Sequence, residues 1–398
     1  MIARGELDRV LIAGGETYYP RVKSDPDAAN ALFKWVKAAD VGDDMIGATA
    51  TERRHGASLP IHGFPLYETA LWAESGLSLA AYLDRVGGLW SRFSRVAANH
   101  PQAWTSTARS AHEITAPTPN NRLIAFPYTK FMNSLIYVDL AAAVVLMSAE
   151  SARRFRPKDR RPVYFLAGAY AEDRQRFLIQ KSSFTACLPL QRAAHKALQR
   201  SHLALDDIAC FDLYSCFPCA VTIARRMLNL ADDDQRPLTL TGGLGFFGGP
   251  GNNYSLHAVA TLAEAIAGGV HDSGMITSLG WFMHKHAVGI YSAIPRATSL
   301  GQYDLEDERD YLVGEEPVQT ADEGSGKAVI ETYTVIYTRD GRPLRAVIYG
   351  TTDEGLRFVA QTPPAAEIFD RLTIRNQVGA SVRLRHDASQ NLNIAELR

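Results

Sequence analysis

Residues 241–280 read TGGLGFFGGPGNNYSLHAVATLAEAIAGGVHDSGMITSLG, and the order of patterns within them sets the fold class. Gly242, Gly243, Gly245, Gly248, Gly249 and Gly251 fall within ten residues, closed by Pro250, Asn252 and Asn253. Such a density lets the backbone take positive φ and approach a ligand or another chain segment closely. From Leu256 onward Val259, Leu262, Ala263 and Ile266 follow helical spacing, and Gly268-Gly269 ends that helix. Gly274-Met275-Ile276-Thr277 then reads as a buried strand. Loop, helix and strand in this order make half of a βαβ unit, where helix N-termini collect anions and active sites gather.

The end of this stretch has an earlier counterpart. IARGELDRVLIAGG from Ile2 aligns with IAGGVHDSGMITSL from Ile266 at a constant offset, with Ile, Ala, Gly and Asp in register (Asp8 with Asp272). The first copy lacks the loop and most of the helix that precede the strand in the second, so the repeat implies a chain that begins inside a domain. Between the copies, Asp27–Val36, Pro65–Ala73, Leu79–Val86 and Leu89–Ala97 read as helices, a helical insertion over about 25–115 that covers one side of a sheet. The apolar run Leu140–Met147 has the size of a buried helix, and 139–147 is assigned as one.

In the second half, strand Val163–Tyr170, helix Leu190–Leu198 and strand Ile208–Leu213 alternate, which argues for an α/β sheet with covered faces. Beyond Pro295 the composition turns β-branched and aromatic. Val329–Thr338 and Leu344–Tyr349 flank the turn Arg339-Asp340-Gly341-Arg342-Pro343, and Arg357–Ala360 and Ala380–Leu384 add two more strands. Three units follow: 1–150, 151–304, and a small antiparallel β domain over 305–398.

With 398 residues and a net charge of −1, the chain has no basic patch for nucleic acid. No apolar run reaches the roughly 18–20 residues of a membrane span, and Met1–Glu6 is not a signal peptide. Four cysteines, three of them within ten residues, do not form a disulfide framework, and the expected location is cytoplasmic.

Polar groups at the end of strand Ile208–Leu213 sit where α/β proteins place their sites. Tyr214 there has two readings, a proton-transferring phenol or a ring held by one hydrogen bond; Cys216, beside Phe217 and Pro218, reads as packing. Tyr254 follows the glycine loop, and His284, Lys285 and His286 form a polar cluster past a strand. No metal-ligand spacing, phosphate loop or dinucleotide fingerprint is present.

Several of these stretches together resemble the thiolase superfamily, specifically the thiolase-like acetyl-CoA acetyltransferases related to sterol carrier protein thiolases. ARGELDRVLIAGGE (3–16) is similar to the helix end and strand after the thiolase nucleophile, and DLYSCFP (212–218) to the N-E-A-F or H-D-C-F motif. GGLGFFGGPGNNY (242–254) resembles the loop that ends in G-H-P, and TSLGWFMHKHAVGIYS (277–292) the C-x-G region. NNRLIAFPYTKFMNS (120–134), VYFLAGAYAED (163–173) and the C-terminal tail are similar to the thiolase-like subgroup.

The resemblance implies the thiolase fold, two βαβαβαββ halves with the first incomplete, plus an additional C-terminal β domain. It implies an acyltransferase acting on coenzyme A thioesters, with no bound cofactor and with a homodimer or a partner protein open. Carried over by position, the nucleophile lies before Met1, Gly249 stands at the G-H-P histidine, Ser278 near the C-x-G cysteine, and Tyr214 and Ser215 at the N-E-A-F asparagine and glutamate. The candidate catalytic residues are therefore Tyr214, Tyr254 and His286, and the candidate substrate-binding residues Gly248, Gly249, Ser278, Gly280 and His284. Two alternatives stand beside acyl transfer. One is retro-aldol cleavage of a β-hydroxyacyl-CoA with Tyr214 and Tyr254 as acid and base. The other is a non-catalytic subunit that binds CoA esters or scaffolds a partner.

Overall fold

The structure is a computed structural model that describes residues 1–19, 47–155, 157–296 and 311–397; the helix expected at 27–36 lies outside the described residues. A single 3-10 turn, Ile2–Arg4, closes on Gly5 in the left-handed conformation and leads into β1 (Arg9–Thr17). Among the described residues four helices follow: α1 (Ala50–His55), α2 (Pro60–Ser75), α3 (Leu79–Ala98) and α4 (Ala111–Thr115). Local chemistry sets their ends. Thr49 and Glu52 form a capping box on α1, Pro60 opens α2 and left-handed Gly76 closes it, and the Ser78 side chain caps α3. Two short strands, β2 (Leu123–Ala125) and β3 (Tyr128–Thr129), precede β4 (Asp139–Met147).

Residues 139–147 are thus a strand and not the expected helix. Every residue from Arg9 to Thr17 has an antiparallel partner between Met147 and Asp139, so the apolar run is consumed in pairing. A short run of this length with adjacent Val144 and Val145 suits a pleated strand as well as a helix, and here the partner strand decides.

The chain continues through α5 (Ala149–Phe155), β5 (Tyr164–Asp173), α6 (Leu188–Ser201), β6 (Phe211–Asp212), α7 (Pro218–Met227), α8 (Tyr254–Ala267), β7 (Ser273–Gly280), β8 (Lys285–Ser292) and β9 (Leu312–Val313). A five-stranded sheet runs β6-β7-β8-β5-β9, with β8 antiparallel to both its neighbours. Helix α8 packs against β7 on one side and β4 on the other, so it lies between the five-stranded sheet and the β1–β4 pair.

The repeat seen in the sequence is structural. Gly5 and Gly269 both take positive φ, 73° and 81°. Gly5 N donates to Ile2 O at 2.9 Å and Gly269 N to Ile266 O at 3.0 Å. Each turn feeds a strand, and the first strand residues, Arg9 and Ser273, are equivalent in the repeat. β1–β4 is therefore the counterpart of β7–β8, both antiparallel. The second pair is joined by a tight turn over 281–284, the first by the long segment 18–138.

The remaining strands are β10 (Gly326–Tyr337), β11 (Pro343–Thr352), β12 (Arg357–Gln361), β13 (Ser381–Asp387) and β14 (Leu392–Leu397), with α9 (Ala366–Ile374) after β12. Their order β11-β12-β14-β13-β10, with β10 also pairing β11, closes on itself and removes open edges. Ala125 pairs with Ile336, so β2 and β3 extend this sheet and tie it to the insertion. Glu68 of α2, fully buried, accepts from the phenols of Tyr82 and Tyr128 and links α2, α3 and β3. Burial raises its pKa against those two hydrogen bonds. Among the described residues, no helix is long and apolar enough to cross a membrane.

Candidate functional site

Asp212, the last residue of β6, is fully buried and organises the glycine loop. Its Oδ2 accepts from Leu240 N (2.8 Å), Thr239 Oγ1 (3.0 Å) and Thr241 N (3.1 Å), with Thr241 Oγ1 3.2 Å away, and its Oδ1 accepts from Tyr254 Oη at 2.8 Å. Burial raises the carboxyl pKa while these donors oppose the rise. Tyr254 Oη is also 2.7 Å from Thr241 Oγ1. Both partners are inside, and burial together with Asp212 holds the phenol pKa well above its usual range. Tyr254 is a fixed pillar at the start of α8.

Tyr214 differs. Its ring meets that of Tyr254 edge-on, with centroids 5.4 Å apart, and its backbone N donates to Thr277 Oγ1 at 2.9 Å. The ring is half-buried, and among the described residues the phenol oxygen has no hydrogen-bond partner. Burial raises its pKa, so at neutral pH it is a neutral donor with nothing to donate to. The two tyrosines expected to share a site do touch, and only Tyr214 has a free hydroxyl.

The glycine loop is buried, and its glycines answer to packing. A Cβ on Gly242 (φ 100°) would lie 2.4 Å from the Ala97 backbone N, and one on Gly248 (φ 131°) 2.7 Å from Leu140 Cδ1. Gly249 N donates to Leu135 O at 2.8 Å, and a Cβ there would lie 3.3 Å from Ser134 Cβ. Loop and segment 134–140 are thus laced together beside Cys216, whose carbonyl accepts from Ser134 Oγ at 2.8 Å. Asn253 Nδ2 reaches across to Gly14 O at 2.7 Å and joins the loop to β1.

From Ser278 onward β7 becomes half-exposed at its C-terminal end. Ser278 Oγ donates to Ser255 Oγ at 2.7 Å, next to Tyr254. Across the strand pair, Leu279 faces His286 and Gly280 faces Lys285. The connecting turn holds Trp281 (φ 48°) and Met283 (φ 58°) in the left-handed region, which costs a residue with a side chain of order 1–3 kcal/mol and is met most often at functional sites.

His284 and His286 are each 3% exposed, and the Nδ1 atom of each lacks a partner. His286 Nε2 lies 3.1 Å from the thiol of Cys187, which also lies 3.4 Å from Met283 O. Cys187 occupies the N-cap position of α6. Beside it, Lys181 Nζ and Asp173 Oδ2 form a buried ion pair at 2.5 Å, and Asp173 N donates to His284 O at 2.7 Å. Burial pushes the Cys187 thiol up to about 11, with Lys181 opposing, and pushes His286 down to about 3, with Lys181 adding to the effect. The pair is therefore neutral at pH 7, a thiol in contact with an unprotonated imidazole.

Sequence reasoning reached His286 and missed Cys187. The two are 99 residues apart, and the only local signal is a cysteine directly before the Leu188-Pro189 helix start. Among the described residues, no group of His, Cys, Asp and Glu is arranged to hold a metal ion.

Residues 310–389 match the family model of the thiolase-like protein type 1 additional C-terminal domain. The chain is similar to a monomeric SCP2-thiolase-like protein type 1 from Mycobacterium smegmatis: TM-score 0.80, 32% identity, with 100% of this chain and 79% of that one covered. It shares its fold with an Ltp2–ChsH2(DUF35) aldolase at TM-score 0.52 and 15% identity, over 74% of this chain and 75% of that one. No curated protein matches it.

Proposed function

Since this chain belongs to the SCP2-thiolase-like proteins of type 1, we propose that it is a thiolase-like acyltransferase for coenzyme A thioesters in which Cys187 and His286 take over nucleophile and base. The observation that carries this reading is the 3.1 Å contact between Cys187 Sγ and His286 Nε2 at the start of α6. A thiol and a neutral imidazole in contact make an activated nucleophile once an electrophile arrives. His286 Nε2 takes the thiol proton as Cys187 Sγ bonds to the thioester carbonyl carbon. The carbonyl π pair moves to oxygen and gives a tetrahedral adduct. Collapse breaks the bond to the CoA sulfur, which takes the proton from His286 and leaves as CoA-SH. The acyl group stays on Cys187 until an acceptor reverses the sequence.

At the same end of the strand pair Gly280 faces Lys285, the neighbour of His286, while Ser278 points to the face opposite His286, toward Ser255. The test is intact mass after incubation with an acyl-CoA, followed by peptide mapping. One added acyl group on Cys187, lost in Cys187→Ala, supports the proposal; an unmodified protein or a label elsewhere ends it.

A second reading, retro-aldol cleavage of a β-hydroxyacyl-CoA, draws on the contact between Tyr214 and Tyr254 and on the shared fold with a protein described as an aldolase. It predicts cleavage that survives Cys187→Ala and stops in Tyr214→Phe. The relative from M. smegmatis is described as monomeric and the aldolase with a DUF35 chain. Under the acyl-transfer reading the chain works as a monomer; under the aldolase reading a partner protein is the natural companion.

A further inference from the structure

A cavity lies away from these residues, between α1 and the closed C-terminal sheet, with a volume of about 450 Å³. Its walls bring together arginines from three elements: Arg54 of α1, Arg345 of β11 and Arg385 of β13. Arg385 is already matched, by Glu396 at 3.0 Å and by Asp387 of the same wall at 3.8 Å. Arg54 contacts only the Thr51 hydroxyl, at 3.3 Å, and among the described residues neither Arg54 nor Arg345 has a carboxylate partner. Two unneutralised guanidinium groups therefore face one hollow.

Two independent features mark the hollow as a place for a ligand. Thr362 lines it, is 4% exposed, and its Oγ1 has no hydrogen-bond partner. A buried hydroxyl without a partner is costly unless something occupies the space it faces. Gly56 (φ 88°) clears room for Arg345: a Cβ there would lie 3.2 Å from both Cδ and Nη1 of that side chain. The rest of the wall mixes Gln361 and Gln390 with an apolar stretch that includes Pro363, Leu392 and Ile394.

We infer that this cavity binds a phosphate monoester of a small organic molecule. Arg54 and Arg345 clamp the dianion, the Thr362 hydroxyl donates to a phosphate oxygen, and the proline and leucine wall covers the organic part. Planar guanidinium forks suit phosphate oxygens bidentately, and the volume is that of ordinary small-ligand pockets. Such a monoester comes either from a free nucleotide or from the 3′-phosphate of coenzyme A.

Calorimetry on the full chain separates these sources with AMP, coenzyme A and dephospho-coenzyme A as probes. The inference expects AMP or coenzyme A to bind with an affinity that falls with added salt and drops about tenfold or more in Arg345→Met and Arg54→Met. Thr362→Val, nearly isosteric, is expected to weaken binding several-fold with an unchanged thermal midpoint, which excludes a folding defect. AMP binding names a nucleotide site. Binding of coenzyme A but not dephospho-coenzyme A, sensitive to Arg345→Met, names the 3′-phosphate. No binding of either probe at millimolar concentration, or binding indifferent to all three substitutions, overturns the inference. The readout does not involve Cys187, so it stands or falls separately from acyl transfer.

Discussion

Tyr254→Phe and Tyr214→Phe delete the same atom from two touching rings and should have opposite consequences. Tyr254 Oη gives up a 2.8 Å bond to the buried Asp212 carboxylate and a 2.7 Å bond to Thr241. A hydrogen bond to a charged group contributes about 1.5–3 kcal/mol and a neutral one about 1 kcal/mol. Asp212 keeps three donors on Oδ2, and the Thr241 hydroxyl 3.2 Å away is released to join them, so its charge is not stranded and the loss stays near about 2–3 kcal/mol. Tyr214 Oη has no partner among the described residues, so its removal should change stability by less than about 0.5 kcal/mol. The assay is urea denaturation followed by far-UV circular dichroism, paired with cleavage of a β-hydroxyacyl-CoA. Tyr254→Phe should unfold at clearly lower urea. Tyr214→Phe should unfold like the parent, and under the retro-aldol reading it should lose cleavage of a β-hydroxyacyl-CoA. A destabilised Tyr214→Phe beside an unaffected Tyr254→Phe would refute the division of roles between pillar and free phenol.

Two further outcomes test the packing and the electrostatics. Burial depresses the pKa of His284 and His286 to about 3 and of His62 to about 4, against 6.5 for a free imidazole. The unfolded chain therefore binds more protons than the folded one between these values, so stability is complete above pH 6.5 and falls as pH drops toward 3–4. At pH 5 each such histidine accounts for about 2 kcal/mol, and His286→Asn should flatten the acid limb of a stability–pH profile by about that amount. Gly242→Ala, strained in φ and driven into the α3 backbone, should cost more than about 3 kcal/mol and most of the soluble yield. Gly249→Ala, with ordinary φ and Ser134 Cβ at 3.3 Å, should cost about 1 kcal/mol or less. Equal tolerance at both positions in a thermal melt would contradict a loop built for packing.

Much of the fold was legible because it is written locally. The turn at Gly269 and its copy at Gly5 use a residue that tolerates positive φ, and the hairpin around Asp340-Gly341 announces itself in the same way. Leu140–Met147 was misread because eight contiguous apolar residues have no period that separates helix from strand; only pairing with Arg9–Thr17, more than a hundred residues away, decides. The strands at 123–129 were hidden for a similar reason, since they are short and owe their state to β10. Within the site, Tyr214, Tyr254 and His286 stand out as polar groups near strand ends or a glycine loop. The buried Asp212 hub and the contact between Cys187 and His286 are tertiary facts. A cysteine before a helix start looks like any buried cysteine until the imidazole that faces it is known.

The central claim is that this chain carries its own acyl acceptor, Cys187, activated by His286. The most direct measurement is peptide-level mass mapping of the full chain after brief exposure to an acyl-CoA and quenching at low pH. The account predicts one acyl group on the peptide containing Cys187, with Cys210, Cys216 and Cys219 unmodified and His286→Asn slowing the labelling by at least about a hundredfold. No label on Cys187, or labelling at the same rate without His286, would contradict it.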